Sequence, residues 1–139
     1  MREWCTQAVM GEPVEHLLAM LPDGTVWHSV GDAESVSLGD LDYNGAIVVH
    51  NHPEGPDGFE SFGSDDFKVL QAFPHMAELW AMTDKYAHYV KPNESIVNAS
   101  YNEAWIAALD RSERAEDNQH YAMVWLEEHG YVDYWRENL

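Results

Sequence analysis

A chain of 139 residues with 45% hydrophobic and 12% aromatic content is long enough to bury a core, and it is most simply one domain. Seven Lys and Arg against 25 Asp and Glu give a formal net charge of −18. The few cations are scattered from Arg2 to Arg136, which argues against nucleic acid as a partner. The single Cys5 excludes an internal disulfide framework and a cysteine-rich zinc site. No apolar run is long enough for a bilayer, and the N-terminal residues lack the hydrophobic stretch of a secretory signal, so no membrane association and a cytoplasmic location are expected. The acidity either steers a neutral or basic polypeptide toward the surface or serves solubility alone.

Residues 14–21 are apolar apart from Glu15 and His16 near their start, Pro22-Asp23-Gly24 supplies turn chemistry, and residues 25–30 resume with β-branched and aromatic types, which predicts a hairpin. Residues 35–38 alternate and predict a short strand. Residues 46–50 form a compact apolar run that predicts a buried strand. Residues 53–63, with two prolines and three glycines, predict a loop. Ser64 is read as the N-cap of a helix with Asp65 and Asp66 in its first turn, running to about Phe73, where Pro74 stops it. Residues 76–82 and 86–90 predict two strands around a turn at 83–85. From about Tyr101 the pattern is helical, with Ala104, Trp105, Ala108 and Leu109 on one face and later Ala122, Trp125 and Leu126 on another. Gly130 ends that run, and residues 131–138 are expected to form a last helical turn or two. The fold class that follows is α/β (α+β), a mixed sheet flanked by helices with a helical C-terminus.

The most informative stretch is Val48-Val49-His50-Asn51-His52-Pro53, followed after a short loop by Ser64-Asp65-Asp66. Residues i and i+2 of a strand share a face, so His50 and His52 can converge on one ion, and Pro53 then turns the chain away. A third ligand is near in sequence in Asp65 or Asp66. Helical spacing favours Asp66, which shares a face with Val69, Leu70 and Phe73. Two imidazoles and one carboxylate can hold a zinc ion with one position left for water, the arrangement of catalytic rather than structural sites. His16, His28, His75, His120 and His129 show no matching arrangement, and neither does His88, although its strand can bring it closer. A hydrolytic site of this kind also needs a proton carrier from a separate element. Glu15, a charged residue opening the first apolar strand, is the choice, with Glu12 behind it.

His50-Asn51-His52-Pro53, a loop, and an acidic residue before an apolar one (Asp66-Phe67) resemble the signature of the JAMM (MPN+, JAB) zinc metalloproteases, which reads His-X-His-Pro, a spacer, then Ser-X-X-Asp, with a glutamate on an early strand. The resemblance covers roughly residues 12–91, and the wording His-Asn-His-Pro-X-Gly is similar to bacterial and phage versions, including RadC-type proteins. It implies an MPN/JAB fold related to the cytidine-deaminase architecture. It also implies one Zn2+ held by His50, His52 and Asp66, with Glu15 as general acid/base. The implied activity is hydrolysis of a peptide or isopeptide bond in a protein or peptide substrate, many family members cleaving the C-terminal tail of a ubiquitin-like protein. The serine of the signature falls on Gly63. Its role in stabilising the oxyanion then passes to Ser64, to Ser61 or to a backbone N–H of the loop.

Three rivals remain. A non-catalytic JAMM-like zinc-binding module, phage-associated or otherwise, fits Gly63, with Trp125, Tyr131, Tyr134 and Trp135 as its contact surface. A DNA-associated RadC-like role is opposed by the acidity. A deaminase lacks its paired cysteines.

Overall fold

The computed structural model describes residues 16–30, 41–51, 61–83, 85–114 and 117–138. Their strands form a six-stranded mixed sheet in the order β2-β1-β3-β4-β5-β6, where β1 is His16–Met20, β2 Val26–Val30, β3 Ile47–Asn51, β4 Glu78–Met82, β5 Tyr86–Pro92 and β6 Val132–Asn138. Three α-helices among the described residues accompany it: α1 (Ser64–Ala72), α2 (Tyr101–Arg111) and α3 (Asn118–Glu128). This is a mixed α+β architecture, as the sequence pattern predicts.

The hairpin β1–β2 closes as expected. Gly24 takes φ +89°, a backbone region costly for any residue with a Cβ, and Asp23 caps the turn by accepting from the Thr25 N–H at 2.9 Å. That hydrogen bond from Thr25 holds the Asp23 carboxyl below its usual pKa. The predicted strand at 35–38 lies outside the described residues, as do residues 52–60 of the predicted loop.

Among the described strands, only β3 and β4 pair in parallel, with Ile47 opposite Glu78 and His50 opposite Ala81. Parallel neighbours need a crossover, and α1 supplies it. The start of both strands is tied by short bonds. The Gly45 N–H donates to the His75 carbonyl at 2.9 Å, and the His75 N–H donates to Asn44 Oδ1 at 3.1 Å. Gly45 has no alternative there: its φ is +78°, and an added Cβ would stand 2.9 Å from Pro22 Cγ.

Alternation along the strands divides the sheet into two faces. Leu17, Ala19, Val48, Leu79, Ala81, Val90, Val132 and Tyr134 join one core with Phe67 and Leu70 of α1, Ala104 and Ala108 of α2, and Ala122, Met123 and Leu126 of α3. Each large side chain removed from water here contributes about 1.5–3 kcal/mol. The opposite face carries Leu18, Met20, Val49, Trp80, Met82, Ala87 and Tyr89. Trp80, Tyr89 and Trp135 share one cross-strand row on it, with the Tyr89 and Trp135 rings 5.0 Å apart and stacked.

Three expectations need correction. Residues 131–138 are a strand, not helical turns: buried Val132 and Tyr134 alternate with exposed Asp133 and Trp135, a period of two that β-branched and aromatic residues favour. The N-cap of α1 is Gly63 rather than Ser64, which is the exposed first helical residue. Leu109 is 52% exposed and does not share the buried face of Ala104 and Ala108, because Tyr101, Ala104 and Ala108 define the inward stripe of α2. Gly130 does end α3, at φ +80°, and Phe73 caps α1 before Pro74.

Candidate metal site

His50 and Asp66 meet. The imidazole projects from the end of β3 onto the helix-covered face and is only 5% exposed. Its Nε2 stands 3.2 Å from Asp66 Oδ1. Asp66 occupies the third position of α1, and its Oδ2 accepts the Gly63 N–H at 3.1 Å. One carboxylate therefore caps the helix with one oxygen and faces the histidine with the other. Asp65, the sequence alternative, points to water: its side chain is 98% exposed, 3.8 Å from Lys68 Nζ.

The donor set suits a divalent ion. Zinc binds nitrogen and oxygen at about 2.0–2.2 Å in tetrahedral sites, which places two ligand atoms about 3.3–3.4 Å apart. The observed separation of 3.2 Å fits that spacing, and it fits a hydrogen bond between imidazole and carboxylate equally. His52, Glu12 and Glu15 lie outside the described residues. Among the described residues, no group of three or more His, Cys, Asp or Glu side chains converges.

Phe62, Tyr101, His88 and Tyr134 wall the site, and of these the sequence marks only His88 as a residue that its strand can bring closer. Phe62, fully buried, lies with its ring centroid 6.2 Å from that of His50 and edge-on to His88 and Tyr134. The Phe62 carbonyl accepts from Tyr101 Oη at 2.8 Å. Burial, with the Asp66 carboxylate nearby, pushes the Tyr101 phenol well above its usual range, so it stays a neutral donor. His88, buried and two strands from His50, occupies the same cross-strand row through Ala81. No spacing rule in the sequence links these residues to His50: His88 lines up with it through sheet register, Phe62 and Tyr101 through packing of the segment before α1 and the start of α2.

Beyond Phe62 lies a buried polar cluster. Tyr134 Oη stands 3.0 Å from Ser61 Oγ, 3.2 Å from His88 Nδ1 and 2.7 Å from His120 Nδ1. Burial, and secondarily the cationic Arg136, push His120 down to about 4, while Asp117 opposes the shift. In the unfolded chain an imidazole titrates near 6.5, so the unfolded state binds more protons between about pH 6.5 and 4. The contribution of His120 to stability is thus complete above about pH 6.5 and is lost as the pH falls toward 4. Discounted for the solvent that reaches the ring, it amounts to about 1–2 kcal/mol. Urea unfolding at pH 7 and pH 5 is expected to show this loss, and His120→Asn should remove it. An equal pH dependence in both proteins would exclude His120 as its source.

Comparison of the chain with family models, with curated proteins and with solved structures gave no match. No described helix is long and apolar enough to cross a membrane.

Proposed function

We propose that this protein is a zinc-dependent peptidase or isopeptidase of the JAMM type, with an MPN/JAB fold. The observation that supports it most is the approach of His50 Nε2 to Asp66 Oδ1 at 3.2 Å, two side chains from the same signature brought together by a strand end and a helix start. His52, two residues beyond His50, completes the ligand set in this reading. Bound zinc would polarise the scissile carbonyl and lower the pKa of water toward neutrality.

The remaining chemistry falls to the chain. Glu15 takes a proton from the attacking water and returns it to the leaving nitrogen. Glu15 directly precedes His16, whose N–H donates to Asn51 Oδ1 at 2.6 Å, so the first strand begins beside the end of β3 that carries His50. An oxyanion donor comes from Ser64, Ser61 or a loop N–H. Of the two hydroxyls, Ser64 is exposed and Ser61 is fully buried against Tyr134, which favours Ser64 or the backbone. The substrate is a protein or peptide, and an extended C-terminal tail of a ubiquitin-like partner, added to a sheet edge, suits such a site.

Metal analysis of protein purified without a nickel column is expected to return one zinc per chain. His52→Ala should lose zinc and activity together, while Glu15→Gln should keep zinc and lose activity. Wild-type turnover in Glu15→Gln would remove Glu15 from its role.

The second reading, a zinc-binding interaction module without turnover, is favoured by Gly63 at the serine position of the signature. Its contact surface cannot include Tyr134, which is 5% exposed, whereas Trp135 is 41% exposed.

A further inference from the structure

The C-terminal strand reaches the candidate site through Tyr134, by its ring and its hydroxyl. Tyr134 Oη gathers partners from three other parts of the chain: Ser61 before α1, His88 on β5 and His120 on α3. A phenol donates one hydrogen bond and accepts two. With His120 neutral, one assignment uses all three contacts of the Tyr134 hydroxyl. Tyr134 donates to His120 Nδ1, the shortest contact, and accepts from the Ser61 hydroxyl and from His88 Nδ1–H.

Ser61 begins the segment that leads into α1. From it the connections run without a break. Phe62, next in the chain, packs against both the His50 and Tyr134 rings. Gly63 donates its N–H to Asp66 Oδ2, and Asp66 Oδ1 faces His50. Opposite, Tyr101 holds the Phe62 carbonyl. The carboxylate therefore owes its place to a three-residue segment fixed at one end by β6.

We propose that Tyr134 is a positioning residue for the Asp66–His50 pair, acting through Ser61 and the Phe62–Gly63 turn. The proposal rests on the metal reading of that pair. Groups that orient ligands without touching the ion typically change metal affinity by about 10–100-fold when removed.

The test is titration of the metal-free full chain with Co2+, read by its ligand-field absorption and by chelator competition. Tyr134→Phe keeps the ring and removes only the hydroxyl. It is expected to weaken Co2+ binding about 10-fold and to alter the absorption bands. Ser61→Ala should do the same, and the double variant should be no worse than either single one, because both cut one link. Ile96→Val, an equally buried truncation elsewhere in the core, should lower stability and leave the spectrum unchanged. Unchanged affinity in Tyr134→Phe, additive effects in the double variant, or an equal loss in Ile96→Val would overturn the proposal. If Tyr134→Phe does not fold, Ser61→Ala carries the test. Wild-type protein that binds no Co2+ defeats the metal reading itself, and the role of Tyr134 falls with it.

Discussion

Replacing Asp66 with Asn is expected to abolish metal retention while leaving the fold in place. The two side chains have the same shape, and an amide oxygen can still accept the Gly63 N–H that the carboxylate now accepts at 3.1 Å. The helix start is thus kept, less the attraction of a negative charge to the helix dipole, worth about 0.3–1 kcal/mol. Metal binding has no such substitute. A neutral amide is a poor ligand for zinc, and loss of a direct ligand should exceed the 10–100-fold typical of outer-sphere changes. Asp66→Ala separates the roles further, since it removes the cap as well and leaves the Gly63 N–H without its acceptor, at a cost of about 1 kcal/mol. Thermal unfolding of the metal-free proteins and chelator competition of the loaded ones measure the two effects independently. Asp66→Asn that holds zinc as tightly as the wild type would mean that Asp66 only caps the helix.

Gly63→Ser is the second substitution with a large expected effect, and it acts in the direction of gain. The φ of Gly63 is −86°, ordinary for any residue, and among the described residues an added Cβ meets only the end of the flexible Gln119 side chain, at 3.4 Å. A serine there is well placed as N-cap, its oxygen accepting from the first turn of α1, for a few tenths of a kcal/mol over glycine. Its hydroxyl proton is then still available to a developing oxyanion. Removal of one such donor from a hydrolase slows it about 100- to 1000-fold, so supplying one should raise turnover by something on the order of 100-fold. The measurement is kcat of zinc-loaded wild type and Gly63→Ser on peptide and isopeptide substrates. A clear rise with unchanged zinc content supports a hydrolase whose oxyanion donor is weak. Equal, measurable rates would mean that Ser64 or a loop N–H already supplies the donor. If both proteins hold zinc and neither turns over any substrate, the interaction-module reading replaces the hydrolase.

Much of this arrangement is legible in local sequence. The hairpin turn, the buried strand that carries His50, the helix stopped by Pro74 and the inward turn of Asp66 rather than Asp65 follow from turn chemistry, apolar runs and helical spacing. These are short-range rules, and they hold where a segment's own residues decide its structure. Residues 131–138 escaped them for a physical reason. The segment follows two helices and has only Val132 and Tyr134 fully buried, so its alternation is short, and its pairing partners on β5 lie 40 to 52 residues earlier. Phe62 and Tyr101 carry no local signal of a place beside His50, Tyr134 reads only as a contact-surface aromatic, and His88 only as a residue whose strand can bring it closer. The places of His88 and Tyr134 come from which strands are neighbours, those of Phe62 and Tyr101 from how the segment before α1 packs on the start of α2, and neither is visible in a single stretch of chain. Gly63 as N-cap was missed because Ser64 is the better capper by type, while the actual boundary is fixed by the Asp66 carboxylate reaching back one residue further.

The distance along the chain between Asp66 and the strand that braces it has a consequence during synthesis. Tyr134 follows Asp66 by 68 residues, an interval of several seconds at about 5–20 residues per second. Through that interval the growing polypeptide already displays His50 and Asp66, but nothing yet fastens Ser61 from behind. If the pair holds a metal and Tyr134 braces it, as proposed, an ion met at this stage finds a looser grip than the finished molecule offers, and secure loading would fall after β6 zips onto β5, at the end of folding rather than at its nucleus.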